Sequence, residues 1–241
     1  MMTYIILAAG KGSTLHPLAL KYPKTSYRLD ENTTVLQRMV RSIRKFDRNA
    51  EIIVVAGYLA DKVKEDLCDE NVKFVVNPFY EVTNSISSLW FARDYLEREN
   101  ITILHGDIVF SDELIQKYMI QPADYPYILV DSSQKKPGNY NAVIRDKIIL
   151  VMSKKLETFS ARYCCMTKLD PVSCRLLKQE TDSMINNGMY DQYYEDCLVQ
   201  MIMFHDFQLF FADIAGEKWT EVNSVDDLLA AQEIHHASEV R

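Results

Sequence analysis

Glycine and proline are scarce in these 241 residues, seven of each, so neither a collagen-like repeat nor a long disordered tract is expected. Cysteine is sparse as well. Cys68, Cys164, Cys165, Cys174 and Cys197 are odd in number and show no C-x-x-C spacing, which points to reduced thiols in a cytoplasmic protein. The adjacent pair Cys164 and Cys165 would face opposite sides of a strand, so it does not read as a metal pair. Basic charge is in deficit, with 27 Lys and Arg against 34 Asp and Glu. The formal charge of −7 argues against a general nucleic-acid partner but leaves room for a small anion held by a local loop. No apolar run approaches the ~18 residues a membrane helix needs. The first residues carry no basic region ahead of their short apolar stretch, so no secretory leader and no membrane span are expected.

What is present is ordinary globular composition, 48% apolar and 25% charged. Tyr4 to Ala8 reads as a buried strand stopped by Gly10. A long connection over 9–33 follows, and Val35 to Phe46 then shows one apolar helical face. Ile52–Ala56 and Val72–Val76 read as strands with a short helix, Asp61–Leu67, between them. A helix is expected from a cap at Thr83 or Asn84 to about Leu96, with Trp90 in the core, and then a strand at Ile101–Leu104. This alternation implies a mostly parallel sheet covered by helices. Past residue 125 the rhythm changes. Strands are expected at Tyr127–Val130, Ala142–Arg145, Ile148–Met152 and Gln208–Asp213. Helices are expected at Pro171–Asn186, at Tyr193–Met203 and from Ser224, capped with Asp227, to about His235. One domain is the economical reading.

The turn after the first strand, Leu7-Ala8-Ala9-Gly10-Lys11-Gly12, stands where phosphates bind in parallel sheets, because small residues let backbone amides approach an anion. It is neither a dinucleotide fingerprint, since Leu15 replaces the third glycine, nor a P-loop, since no G-K-[ST] ending follows. A bare structural turn remains open on the loop alone.

Leu7 to Leu18 followed by Pro23-Lys24 resembles the L-A-A-G-x-G-x-R-L-x-P-L…P-K signature of the nucleotidyltransferases, a family that includes sugar-phosphate nucleotidyltransferases and phosphocholine cytidylyltransferases. The stretch Asn77-Pro78-Phe79-Tyr80, Thr83-Asn84, Ser88-Leu89 is similar to the cytidylyltransferase branch, as are Gly106-Asp107, Tyr194-Glu195-Asp196 and Trp219 to Leu228. The resemblance implies an α/β fold, Rossmann-like, with a mostly parallel or mixed sheet and helices on both faces, of the nucleotide-diphospho-sugar transferase type. It divides one domain into a nucleotide-binding half, 1–120, and an acceptor-binding half, 121–241. It also implies a Mg²⁺-dependent transfer of a nucleotidyl group, CMP from CTP by preference, to a small phosphate or phosphonate acceptor such as phosphocholine. Pyrophosphate is released, and the product serves surface polysaccharide decoration. A homodimer is a further expectation.

On this resemblance the residues divide as follows. Lys24 and Asp107 are the catalytic expectation. Leu7, Ala8, Ala9, Gly10, Lys11, Gly12, Ser13, Thr14, Asn77, Thr83, Asn84, Ser88 and Gly106 are expected around the nucleotide. Tyr80, Tyr163 and Tyr194 are expected at the acceptor, with Tyr190 and Tyr193 as further candidates, because an aromatic cage suits a quaternary amine such as choline. Asp107 is the expected Mg²⁺ ligand, joined by Glu221 first and Asp196 second, with Asn223 where the family has a final Asp. Asp107 also reads as a helix-capping or turn aspartate, and Glu221 and Asp196 as ordinary surface acids.

Two departures stand out. Thr14 replaces an Arg that would grip the triphosphate, with Lys11, Lys21 or Arg28 as candidates to compensate, and Asn223 brings an oxygen without its charge. They open an alternative of another class, an inactive nucleotide-binding homologue. Within the enzyme class a sugar-1-phosphate acceptor is the alternative, although no hexapeptide-repeat extension follows.

Overall fold

The computed structural model describes residues 1–12 and 18–239. The first apolar run forms β1 (Thr3–Ala8), buried at every position, as a strand covered on both sheet faces must be. Single 3-10 turns follow at Leu18–Leu20 and Lys24–Ser26. α1 (Val35–Phe46) starts at Thr34, whose hydroxyl accepts from Gln37 N while the Gln37 amide oxygen accepts from Thr34 N. This reciprocal cap satisfies two amides that the first turn leaves unpaired. β2 (Glu51–Ala56), α2 (Ala60–Asp66), β3 (Lys73–Val76), α3 (Ser85–Phe91) and β4 (Ile101–His105) complete the alternation.

α3 is shorter than its periodicity suggests. It stops at Phe91 and gives way to a 3-10 turn at Arg93–Glu97. Trp90 is half-buried rather than in the core, and its ring is covered by the Arg93 guanidinium at 3.9 Å. A stacked guanidinium can cover an indole at the surface without removing it from water.

β5 (Ile108–Phe110) and α4 (Asp112–Leu114) lead into a π turn at Ile115–Met119. Then come β6 (Tyr127–Asp131), β7 (Asn141–Arg145), β8 (Ile148–Ser153), β9 (Ala161–Leu169), α5 (Pro171–Asn186), α6 (Tyr194–Phe204), β10 (Phe210–Asp213), β11 (Trp219–Glu221) and α7 (Val225–Glu239). Ser224 caps α7 by accepting from Asp227 N, while Asp227 accepts from Asn223 N and the Ser224 hydroxyl. No helix among the described residues is long and apolar enough to cross a membrane.

The main sheet runs β10-β6-β9-β4-β1-β2-β3, with the β7–β8 hairpin attached to β9, and β5 pairs with β11 in a separate ribbon. β4, β1, β2 and β3 are parallel, whereas β9 is antiparallel to both β4 and β6. β9 is absent from the sequence expectation. Its residues, ARYCCMTKL, do not alternate, and Lys168 lies within it at 1% exposure. That lysine has a local reason to be there. The π turn leaves carbonyls without helical partners, and Lys168 Nζ donates to those of Tyr118 and Met119 at 3.2 and 2.7 Å. Tyr127 and Tyr4 hydroxyls donate to the same two oxygens. β9 also bulges opposite β6, and Cys165 takes φ +57° there.

Candidate active site

β1, β2, β3 and β4 all release the chain at the same end of the sheet, where ligands of such sheets sit. The segments they release surround a cleft of about 350 Å³. One side is the turn after β1, Leu7 to Gly10 with Gly12, and Lys24-Thr25 beneath it. A second is built by Asn77, Tyr80, Thr83, Asn84, Ser85 and Ser88 around the start of α3. His105 and Asp107 come from the end of β4, and Glu221 and Asn223 from the end of β11. Asn139, Tyr140, Lys154 and Tyr193 close it from the second half of the chain.

At its floor Lys24 Nζ lies 2.6 Å from Asp107 Oδ2 and donates to Asn223 Oδ1 at 2.7 Å. Burial by itself would lower the Lys24 pKa, but the Asp107 charge and hydrogen bond, with Glu221 beyond, outweigh it and raise it. Burial would raise Asp107, and Lys24 beside it holds the carboxyl below its usual range. Both partners are therefore ionised at neutral pH. Gly12 is part of the same device. It sits at φ +64°, and a Cβ there would lie 2.1 Å from Lys24 Cγ, so only glycine lets the lysine stem pass under the turn.

Glu221 is 3% exposed and is satisfied by Arg162 Nη2 at 2.9 Å and by the Asn139 amide. Asn77 is a buried hub. Its amide donates to Thr83 Oγ1 and Ser88 Oγ, both at 3.1 Å, and its oxygen accepts from Phe79 N. Asn84 accepts from Ser85 N and so caps α3 while facing the cleft. His105 Nε2 lies 2.7 Å from the buried Glu195 carboxylate.

The sequence expectations meet here unequally. Leu7, Ala8, Ala9, Gly10, Gly12, Lys24, Asn77, Tyr80, Thr83, Asn84, Ser88, Asp107, Glu221 and Asn223 all line the cleft. Ser13 and Thr14 lie outside the described residues. Lys11 is exposed and sits 5.6 Å from the Tyr58 ring, off the cleft wall, and neither Lys21 nor Arg28 lines the cleft. Gly106 is a packing position. Its N–H donates to Leu7 O, and a Cβ there would press on Ala8 and Thr25 at 3.0 Å.

Three placements correct the sequence reading. Tyr163 and Tyr194 are buried behind His105 rather than on the cleft wall, with their hydroxyls bonded to each other and to Thr167. The aromatic wall is instead Tyr140 and Tyr193. Asp196 does not join the acids at the floor. It accepts from the Tyr140 hydroxyl and from Tyr193 N, both at 3.0 Å, and so holds the Tyr140 ring and the backbone at the start of α6. Tyr190 is exposed and off the cleft wall. Arg162, Asn139, Lys154 and Tyr140 were not anticipated, since only the register of β9 and the β7–β8 hairpin brings them inward.

The oxygens of Asp107 and Asn223 converge on one point, now taken by the Lys24 ammonium, and Glu221 opens into the same cleft. Hard oxygen donors of this kind suit Mg²⁺. The side-chain ligand atoms of His105, Cys165 and Glu221 also lie within 4.8 Å of one another. That set, with an imidazole and a thiol that burial pushes up to about 12, suits a softer ion.

Residues 4–162 match the model of the MobA-like NTP transferase domain. The CTP:phosphoglutamine cytidylyltransferase of Campylobacter jejuni subsp. jejuni serotype O:2 is 33% identical over 94% of this chain and 98% of its own length. The 2-aminoethylphosphonate cytidylyltransferase of Lancefieldella rimae is 34% identical over 46% of this chain, an alignment that spans 45% of that relative. Among solved structures, the CTP:phosphocholine cytidylyltransferase of Streptococcus pneumoniae superposes with a TM-score of 0.79 over 98% of this chain and all of its own. At 18% identity that likeness shows the fold, a mixed α/β sheet flanked by helices.

Proposed function

The chain belongs to the MobA-like NTP transferase family, and from that premise we propose that it transfers CMP from CTP to a small phosphate or phosphonate acceptor. An acceptor oxygen attacks the α-phosphorus, the bond to the β-phosphate oxygen breaks, and pyrophosphate leaves. No protein nucleophile is required, so the residues work by positioning and by charge. The resemblance read from the sequence extends this to an activated product used in decorating a surface polysaccharide.

The observation that carries the reading is the Lys24 ammonium held between Asp107 and Asn223 beneath a glycine turn. A cation stored on a carboxylate is preorganised for the charge that develops at the α-phosphate, and it need not be recruited from water. Gly10 and Gly12, which line the cleft, would offer their amides to the incoming triphosphate, and Lys24 would exchange Asp107 for a phosphate oxygen as it binds. Asp107 and Asn223, released by that exchange, together with Glu221 would hold Mg²⁺. When bound, the ion supplies charge neutralisation to the triphosphate. Asn84 and Ser88, with Asn77 and Thr83 holding that wall in place, offer an amide and a hydroxyl that read the neutral base and ribose by hydrogen bonds rather than charge.

The test is a pyrophosphate-release screen of four triphosphates against phosphate, phosphonate and sugar-1-phosphate acceptors with Mg²⁺. Release with CTP and a small non-sugar acceptor is expected. Activity confined to UTP or dTTP with a sugar phosphate would overturn the choice of substrates. A rise in melting temperature with CTP but no release from any acceptor would make the chain a nucleotide-binding protein without turnover.

A further inference from the structure

The cleft is lined by two ammonium groups, and they are not equivalent. Lys24 is paired with Asp107. Lys154 follows the last residue of β8, and its Nζ lies 3.4 Å from the centroid of Tyr193 and 5.5 Å from that of Tyr140. The two rings meet edge to face at 5.7 Å; Asp196 holds the Tyr140 ring through its hydroxyl and the Tyr193 backbone through its N–H. Two tyrosine faces set at this angle attract a cation. In this chain the cation in the corner is its own lysine. Among the described residues no carboxylate lies within ion-pair distance of Lys154, and its ammonium is directed by the two rings. Burial would raise the Tyr193 phenol, but hydrogen bonds with Lys154 and Asn84 and the Lys154 charge hold it below its ordinary value, as a positive corner requires.

Building on the transfer reading above, we propose that Lys154 determines acceptor specificity by taking an anionic group, a carboxylate, carried by the acceptor beyond its phosphate or phosphonate. The same residue excludes a quaternary ammonium such as choline, because the corner that would cage it is already filled and positively charged. On this proposal the tyrosine corner serves a different end from the choline cage expected from the sequence. The rings are present, at Tyr140 and Tyr193, and they orient a lysine.

Two matched acceptor pairs differ by one carboxylate: phosphoethanolamine against phosphoserine, and 2-aminoethylphosphonate against 2-amino-3-phosphonopropanoate. Calorimetry measures the binding of each, and of phosphocholine, to the full chain saturated with a non-hydrolysable CTP analogue. Pyrophosphate release with CTP is measured separately. In each pair the carboxylate member is expected to bind at least about tenfold tighter, the scale of one charge-assisted hydrogen bond, with phosphocholine weakest. Lys154→Met is expected to shrink the ratio below about threefold, and Lys154→Arg to keep it. Equal binding within both pairs, phosphocholine binding as tightly as phosphoserine, no binding by any acceptor, or a ratio that survives Lys154→Met overturns the proposal. A Lys154→Met defect seen only as lost affinity for the nucleotide also overturns it, since the ammonium then serves the triphosphate. A carboxylate preference in binding without any pyrophosphate release would defeat the transfer reading and leave the anion subsite standing.

Discussion

Lys24 and Asp107 face each other at 2.6 Å across the cleft floor, one from the turn region after β1 and the other from the end of β4. Each holds the other in its charged state inside a largely buried site. Their roles in transfer are therefore coupled. Lys24→Met and Asp107→Asn are each expected to lower kcat by about 10²–10³, the size of losing one preorganised electrostatic contact. The double variant should lose little more than the worse single one, because residues that act as a unit are not additive. Steady-state pyrophosphate release across the four proteins checks this. Losses that simply multiply would mean the two act independently.

Gly12 separates an effect on the site from an effect on the fold. The left-handed backbone costs alanine about 1 kcal/mol, a small change in melting temperature for a chain of this size. The added methyl, however, would strike Lys24 Cγ and push the ammonium off Asp107. Gly12→Ala is expected to cut kcat/KM at least about tenfold while lowering the melting temperature by only about 2–4 °C. Unchanged turnover in the folded variant would show that the lysine stem does not depend on the turn.

Lys168 gives the protein a measurable alkaline signature. Burial pushes its pKa down from the ordinary 10.5 to about 7. Below about 7 both folded and unfolded chains carry the proton, and the full cost of burying it is felt. Between about 7 and 10.5 only the unfolded chain binds the proton, so this group adds stability as pH rises. The difference in melting temperature, wild type minus Lys168→Met, is expected to grow by more than about 4 °C from pH 7 to pH 10. A pH-independent difference would mean that the buried ammonium titrates normally.

The parts of this molecule that were legible in the sequence are those in which local chemistry and position coincide. β1 to β4 announce themselves as short apolar runs ended by Gly10, Gly57, Asn77-Pro78 and Gly106, and those ends are where the cleft lies. Lys24, Asp107, Glu221 and Asn223 reach the floor from segments far apart in the chain, and in the sequence only the family resemblance of their motifs connects them. β9 was not legible. Its lysine is buried for a partner, the π turn, that no window of sequence around it contains. Its bulge at Cys165 also breaks the alternation that tells inward from outward residues, so the sequence alone neither places Tyr163 in the core nor connects Arg162 to Glu221. Tyr193 and Tyr194 are consecutive, and only the start of α6 decides that Tyr193 faces the cleft while Tyr194 enters the core.

The most direct measurement follows the α-phosphorus. CTP labelled at that position is incubated with the wild-type chain, Mg²⁺ and each of a panel of small phosphate and phosphonate acceptors, with the Asp107→Ala variant in parallel. The expected result is label in a CDP-linked product, formed one for one with pyrophosphate, and no product from the variant. Label that stays in CTP or appears only as free CMP, or equal product formation by Asp107→Ala, would contradict the assignment of this cleft as a cytidylyl-transfer site.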